Sequence, residues 1–339
     1  MQVSKVVRDP SILDVARVAG VSHQTVSRVL NEHPNVREAT RQRVRSAIVE
    51  LGYRPNRAAR ALVTGTYKSI GVIAPRSTLY GPASLLAAFE EQSAIAGFTV
   101  SVTRLRTFTT AAVREAVGGL LDQRVAGLIV IAPLAAAAEA LDDLPDDLPL
   151  VAVDGHPSRP GSRATVDQTA GARLATAHLL DAGHTSVWHV SGPPDWFDAS
   201  GRVAGWTAEL RERGIEPPPV IDGDWTAASG YRAGQLLGRM PEVTAVFVAN
   251  DAMALGVLHA LHEHGRRVPQ DVSVVGFDDV PEAAHYIPPL TTVRQDFDAV
   301  ARESLALLIE RIGGSDAAEG RVVVPDLVVR KSVAAPGGG

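Results

Sequence analysis

From Ser69 onward, short apolar runs rich in β-branched residues alternate with segments of helical spacing, and this alternation constrains the fold more than any other feature. Residues 70–75, 98–102, 127–131, 150–153, 186–190, 245–248 and 272–276 read as strands. Apolar strands separated by helices imply parallel sheets covered on both faces. Ligands of such sheets lie beyond the carboxyl ends of the strands, so the polar residues there are candidates. Asp154 follows the run at 150–153, Asn250 and Asp251 follow 245–249, and Asp278 and Asp279 follow 275–277. Being adjacent in sequence, Asp278 and Asp279 are expected to point in different directions, with one facing the site. Trp225 and Phe297 offer aromatic planes. Carboxylates and amides beside aromatic faces suit a sugar, whose hydroxyls need fixed partners and whose C–H faces lie against a ring.

The preceding segment has another character. Residues 1–68 hold 12 Lys+Arg against 5 Asp+Glu, whereas the remainder holds 21 against 33. Such asymmetry points to a basic contact surface joined to an acidic body. Ser11 and Asp14 are spaced as a helix cap, and Ile12, Val15, Ala16 and Ala19 share one helical face. Gly20 supplies a turn and Ser22 caps a second helix, whose buried stripe is Val26, Val29 and Leu30. A third helix repeats the spacing with Val44, Ala47, Ile48 and Leu51, closed by Gly52. Three short helices with a glycine at the first turn form a helix-turn-helix, whose second helix enters the major groove. Gln24 and Arg28 suit two-pronged reading of adenine and guanine, with His23 also at base edges. Ser22, Thr25, Ser27, Asn31 and Arg41 are placed for phosphates, which orient without specifying. The alternative, a bundle that packs on protein, fits the polar crowding of this face less well.

Other chemistries find little footing. There is no cysteine, which excludes disulfides and thiolate metal sites. No basic-then-apolar leader is present, and the longest apolar run, around residues 125–138, is interrupted by Gly127 and Pro133. A soluble, cytoplasmic chain without a membrane partner is expected. Phosphate loops, nucleophile elbows and dinucleotide fingerprints are all missing, so neither an enzyme nor a cofactor is expected. His259, His262 and His264 read as a solvated helix end without an acidic partner rather than as a metal site.

Residues 13–22, 25–31 and 51–60 resemble the headpiece and hinge of the LacI/GalR repressors. Residues 205–206, 223–231, 248–256, 272–279 and 287–297 resemble their core. The resemblance implies an all-α helix-turn-helix head at 1–54, a hinge helix and linker at 55–66, and a two-lobed, periplasmic-binding-protein-like α/β core at 67–335. One lobe would take about 67–166 and 297–320, the other about 167–293 and 321–332, with three chain crossings. Asn56 would meet a phosphate and Leu62 would wedge into the minor groove; without the family, 55–66 reads as a plain linker. The core is closer to the galactoside-responsive than to the purine-responsive branch. That implies effector contacts at Leu79, Tyr80, Asp154, Asp198, Arg202, Trp225, Asn250, Asp278, Gln295 and Phe297. The implied function is a homodimeric repressor on double-stranded, pseudo-palindromic operator DNA, released by a sugar. The alternatives are a corepressor-dependent regulator and a sugar-binding protein of a transport system. No heptad segment follows 333–339, so a dimer rather than a tetramer is expected. Departures from the family are residues 79–82 in place of Asn-Pro-Phe-Phe, Asp198 for a serine, Ile131 for an asparagine, an added Trp196, and Arg37 for a capping serine. The carboxylate and the added indole suggest a glucoside or an oligosaccharide.

Overall fold

The computed structural model describes residues 10–30, 33–53, 67–142, 144–145, 147–153, 163–315 and 320–337. By its contacts the chain divides into two units, residues 1–67 and 68–339.

In the first unit, α1 (Ile12–Ala19), α2 (His23–Leu30) and α3 (Glu38–Leu51) form a small bundle. Ser11 and Asp14 make a reciprocal capping box. Ser11 Oγ accepts from the Asp14 N–H at 3.3 Å, and the Asp14 carboxylate accepts from the Ser11 N–H at 2.9 Å. Gly20, at φ +63°, closes α1 in the left-handed conformation that turns the chain toward α2. The Thr25 N–H then donates to Ser22 Oγ at 3.2 Å. Val15, Ala16, Ala19, Val26, Val29, Val44 and Ala47 form the core, with Ile12, Leu30, Ile48 and Leu51 packed around it. These are the positions that the helical spacing selects. Arg37 precedes α3 and gives it no side-chain cap.

The second unit carries strands β1 (Ser69–Pro75), β2 (Thr99–Leu105), β3 (Leu128–Ile131), β4 (Leu150–Val153), β5 (Arg163–Val166), β6 (Trp188–Ser191), β7 (Ile221–Asp222), β8 (Ala245–Val248), β9 (Ser273–Asp278), β10 (Thr291–Arg294), β11 (Arg321–Val323) and β12 (Asp326–Val328). Two six-stranded sheets result, ordered β11-β5-β4-β3-β1-β2 and β12-β10-β9-β8-β6-β7. All pairs are parallel except β10 with β12. The first sheet is covered by α4 (Tyr80–Ile95), α5 (Thr110–Asp122), α6 (Ala135–Asp142) and, from later in the chain, α11 (Phe297–Ile312). The second is covered by α7 (Gln168–Asp181), α8 (Phe197–Glu212), α9 (Ala227–Leu237) and α10 (Asp251–Glu263). Strands β3, β4 and β8 are buried throughout, the state that their unbroken apolar runs require.

The chain crosses between lobes after β5, after β10 and after β11. The third crossing corrects the sequence expectation of a boundary at 320: β11 pairs with β5, Val323 beside Val166, so residues 321–323 belong to the first lobe. This edge strand of three residues is held by its pairing with β5, by Val323 packed on the first-lobe core and by Arg321 paired with Glu303 and Glu310, and it is too short for a period to read. Strand β9 also runs through Asp278, which therefore ends the strand instead of following it.

Helices α9 and α10 pack through glycines. A Cβ on Gly256 would lie 2.0 Å from the Ala227 carbonyl oxygen, and one on Gly230 would lie 2.0 Å from that of Met253. Neither backbone oxygen can move without shifting its helix. Gly256→Ala is expected to lower the stability of the core by about 1–3 kcal/mol. A thermal melt followed by circular dichroism checks this, and an unchanged midpoint contradicts the packing described.

Candidate functional site

On the bundle of residues 10–53, Ser22, His23, Gln24 and Arg28 are exposed, while Thr25 and Ser27 are half-buried. Gln24 and Arg28 are four residues apart and thus share one face of α2. Ser22 and Thr25 hydroxyls lie 3.0 Å apart. Arg41 has partners within the bundle. Its side chain is only 14% exposed; it donates to the His33 carbonyl at 3.2 Å and pairs with Glu38 at 3.4 Å, so it is engaged on the bundle's own surface. Asn31, Asn56 and Leu62 lie outside the described residues, as does Asp154 in the core.

Between the lobes of residues 68–339 is a cleft. The first lobe contributes Leu79, Tyr80, Gly81 and Pro82. The second contributes Trp196, Asp198, Arg202, Trp225, Asn250 and Asp278, and Gln295 enters from the second crossing. Eight of the ten residues expected from the sequence therefore meet here. Phe297 stands behind them, edge-on to Tyr80 with ring centroids 6.2 Å apart.

Arg202 is the buried centre of this site. Its Cζ lies 3.8 Å from the centre of the Phe277 ring, and its Nη1 donates to the Ala249 carbonyl. Its Nε donates to Gln168 Oε1 at 2.9 Å. Gln168 Nε2 donates to Gln295 Oε1 at 2.9 Å, and Gln295 Nε2 donates to Asp278 Oδ1 at 2.7 Å. Arg202 Nη2 closes the ring, 3.7 Å from Asp278 and 3.8 Å from Asp198. Gln168 was not singled out from the sequence. It follows β5 by two residues, so reading that short strand would have flagged it by the strand-end rule.

The environment sets the charges. Burial pushes the Asp278 carboxyl up to about 6, against the pull of Arg202 and Gln295. Burial also raises that of Asp198, again opposed by Arg202. Two cleft residues hold positive φ, Trp225 at +69° and Asp278 at +106°, a conformation that persists only where its surroundings enforce it. Asn250 enforces the first: its Nδ2 donates to the Trp225 carbonyl at 3.1 Å while its Oδ1 accepts from the Met253 N–H, capping α10. Asp251 braces the second. Fully buried, it accepts from the Val280 N–H at 2.9 Å and from the Thr292 hydroxyl at 2.6 Å. Burial pushes its carboxyl up to about 8. Asp279 turns away to pair with Arg294 and Arg330, so one of the two adjacent carboxylates faces the cleft, as expected.

Trp225 lines the cleft from a largely buried position. It is 5% exposed, with Arg202 over its ring at 5.3 Å and the Gly192 backbone against it; a Cβ there would lie 2.2 Å from Cζ2. Its Nε1 has no partner among the described residues. His259 does have an acidic neighbour, Glu263 at 3.5 Å. Among the described residues no group of three or more His, Asp or Glu side chains is placed to hold a metal, and no helix is long and apolar enough to cross a membrane.

Residues 11–56 match the bacterial regulatory proteins of the lacI family, and residues 176–333 match a periplasmic binding protein-like domain. The lactose operon repressor of Escherichia coli (strain K12) is 38% identical over 329 residues, spanning 96% of this chain and 91% of that protein. This chain belongs to the LacI family. Another member, the transcriptional regulator CelR of Thermobifida fusca, is 36% identical over 344 residues, 96% of this chain and 98% of the relative. Among solved structures, the lac repressor dimer bound to operator and the anti-inducer ONPF superposes with a TM-score of 0.89 at 36% identity, covering 96% of this chain and all of that one. A CelR–cellobiose complex gives 0.70 at 33% identity, covering 95% and 99%. Both relatives regulate transcription, and the LacI-family fold, a helix-turn-helix bundle with a two-sheet α/β core, is that of this chain.

Asp278 gives this LacI-family core a pH signature. An unfolded aspartate titrates near about 3.9 and the folded one at about 6, so the folded state holds this proton more tightly. The resulting stabilisation is present below pH 4 and is lost as pH rises through 6. Accordingly, the melting temperature of the wild type minus that of Asp278→Asn should fall between pH 4 and pH 7 without ligand. A difference that is flat or rising with pH contradicts the assigned environment.

Proposed function

We propose that this chain represses carbohydrate-utilisation genes by binding a pseudo-palindromic operator as a homodimer, and that a sugar in the interlobe cleft releases it. The observation that carries the reading is the presence of two complementary surfaces in one chain. A capped bundle in a basic segment exposes His23, Gln24 and Arg28 on one helix, and a separate cleft gathers carboxylates, amides and aromatic rings. Named relatives support it, since one is described as a dimer on operator and another as a complex with cellobiose. The reading makes the protein a cytoplasmic regulator rather than an enzyme, with no cofactor. It assigns base reading to His23, Gln24 and Arg28, phosphate contacts to Ser22, Thr25, Ser27, Asn31 and Arg41, and, on family resemblance, a further one to Asn56 and a minor-groove wedge to Leu62. The units are a head at 1–54, a hinge at 55–66 and a core at 67–335.

Release requires the sugar to favour the state that DNA disfavours; affinity alone shifts nothing. The test begins with selection of the preferred duplex from a random pool by the full-length protein. A mobility-shift titration with mono- and disaccharides follows. Sugar should weaken binding to the selected duplex, and Arg28→Ala should abolish its preference over random DNA while sugar binding is retained. Sugar that strengthens DNA binding would overturn the induction reading, and the absence of any selected sequence would overturn the repressor reading.

A further inference from the structure

We propose that a backbone bridge at the start of α8 is a latch between the lobes, which holds them at a set angle in addition to the three crossings. The latch stands whichever ligand the cleft takes, and so goes beyond the sugar reading.

The bridge joins segments far apart in the chain. The first lobe supplies Pro133 and Leu134, which leave β3 and lead into α6. The second supplies Trp196 and Phe197, the N-cap and first residue of α8. Leu134 and Trp196 stand opposite each other as an isolated antiparallel bridge, and the Phe197 N–H donates to the buried Pro133 carbonyl at 2.9 Å. The first N–H groups of a helix have no partner within it; here one of them bonds the other lobe.

The rest of α8 is seated firmly in the second lobe. A Cβ on Gly201 would lie 2.8 Å from that of Gln168, and one on Gly205 would collide with the Thr169 carbonyl oxygen. Gln168 opens α7, two residues after β5 ends and the chain first crosses. Helix α8 is therefore clamped beside the first crossing at residue 201 and bonded to the first lobe at residue 197, about 6 Å away along its axis. A crossing alone permits rotation about itself, whereas a second attachment at a distance from it resists that rotation. Asp198 and Arg202 project from this end of the helix into the cleft, so the latch also fixes where they stand relative to the first lobe.

The bond differs in kind from the apolar contact between the lobes. Leu79 and Tyr80 of the first lobe pack on the core of the second. Such a contact tolerates sliding, because the hydrophobic effect has no direction. A hydrogen bond weakens steeply when bent, so this one favours a single angle.

Proline at position 197 removes the donor yet suits the site. The first helical position tolerates it, and Trp196, at φ −92° and ψ 129°, already has the extended backbone that a following proline demands. Phe197→Ala removes the same ring and keeps the N–H. The chain has no cysteine, so spin labels on Glu115→Cys in α5 and Glu216→Cys beyond α8 report the lobe separation by pulsed electron resonance. Labelled full-length chains are diluted into unlabelled ones, which isolates the distance within one chain. Phe197→Ala should keep the wild-type distance distribution. Phe197→Pro should populate a second distance, its weight relative to the first rising about fivefold on loss of one net hydrogen bond. A distribution in Phe197→Pro that matches that of Phe197→Ala would overturn the latch. Hydrogen exchange of the unaltered protein is a second test: the Phe197 amide should be protected, and exchange at the rate of a free amide would overturn the latch whether or not the variants fold.

Discussion

The core depends on a guanidinium buried where the lobes meet. An isolated charge there would be costly, and Arg202 is tolerated because its surroundings are built around it. Ala249 and Gln168 oxygens accept its hydrogen bonds, the Phe277 ring lies under its plane, and two carboxylates stand just beyond hydrogen-bond range. Each neighbour is fixed in turn. Asp278 holds its position through a positive φ that Asp251 braces from beneath, and Asp251 is itself satisfied by Val280 and Thr292.

The amides in this ring occupy telling places. Gln168 follows the first crossing between lobes and Gln295 follows the second, and their mutual hydrogen bond joins the two crossing segments. Cleft chemistry and lobe geometry therefore share atoms. A hydroxyl that competes for Asp278 acts on a group bonded to Gln295, which lies on the second crossing between lobes. This gives a small neutral molecule a physical route to bias lobe arrangement through contacts that differ between states.

Much of this was legible in the sequence, and the remainder has identifiable causes. Helical spacing marked the bundle core from Val15 to Ala47, because α-helices bury a fixed stripe. Unbroken apolar runs marked β3, β4 and β8, because strands covered on both faces tolerate little else. The polar residues at strand ends led to Asn250 and Asp278, and the family resemblance to Arg202, Asp198 and Gln295. Gln168 escaped notice because β5 spans only four residues, too few for a period to show. The partners of Arg41 and the burial of Trp225 were not legible, because a side chain's type declares what it can do, whereas its burial and partners depend on how the chain packs. The third crossing was misplaced by three residues because β11 spans only three residues and its lobe is set by partners distant in the chain, β5 and the helix of Glu303 and Glu310.

The hydrogen bonds from Arg202 to Asp278 have a direction. An arginine only donates, so Gln168 must turn its oxygen toward Arg202 and its nitrogen toward Gln295. Gln295 must then turn its own nitrogen toward Asp278, which accepts. Two amides that would each be free to flip in isolation are thereby set in one sense by a cation at one end and a carboxylate at the other. The cleft thus meets every incoming molecule with a wall whose pattern of donors and acceptors is already oriented, and recognition inherits a handedness that no single residue possesses.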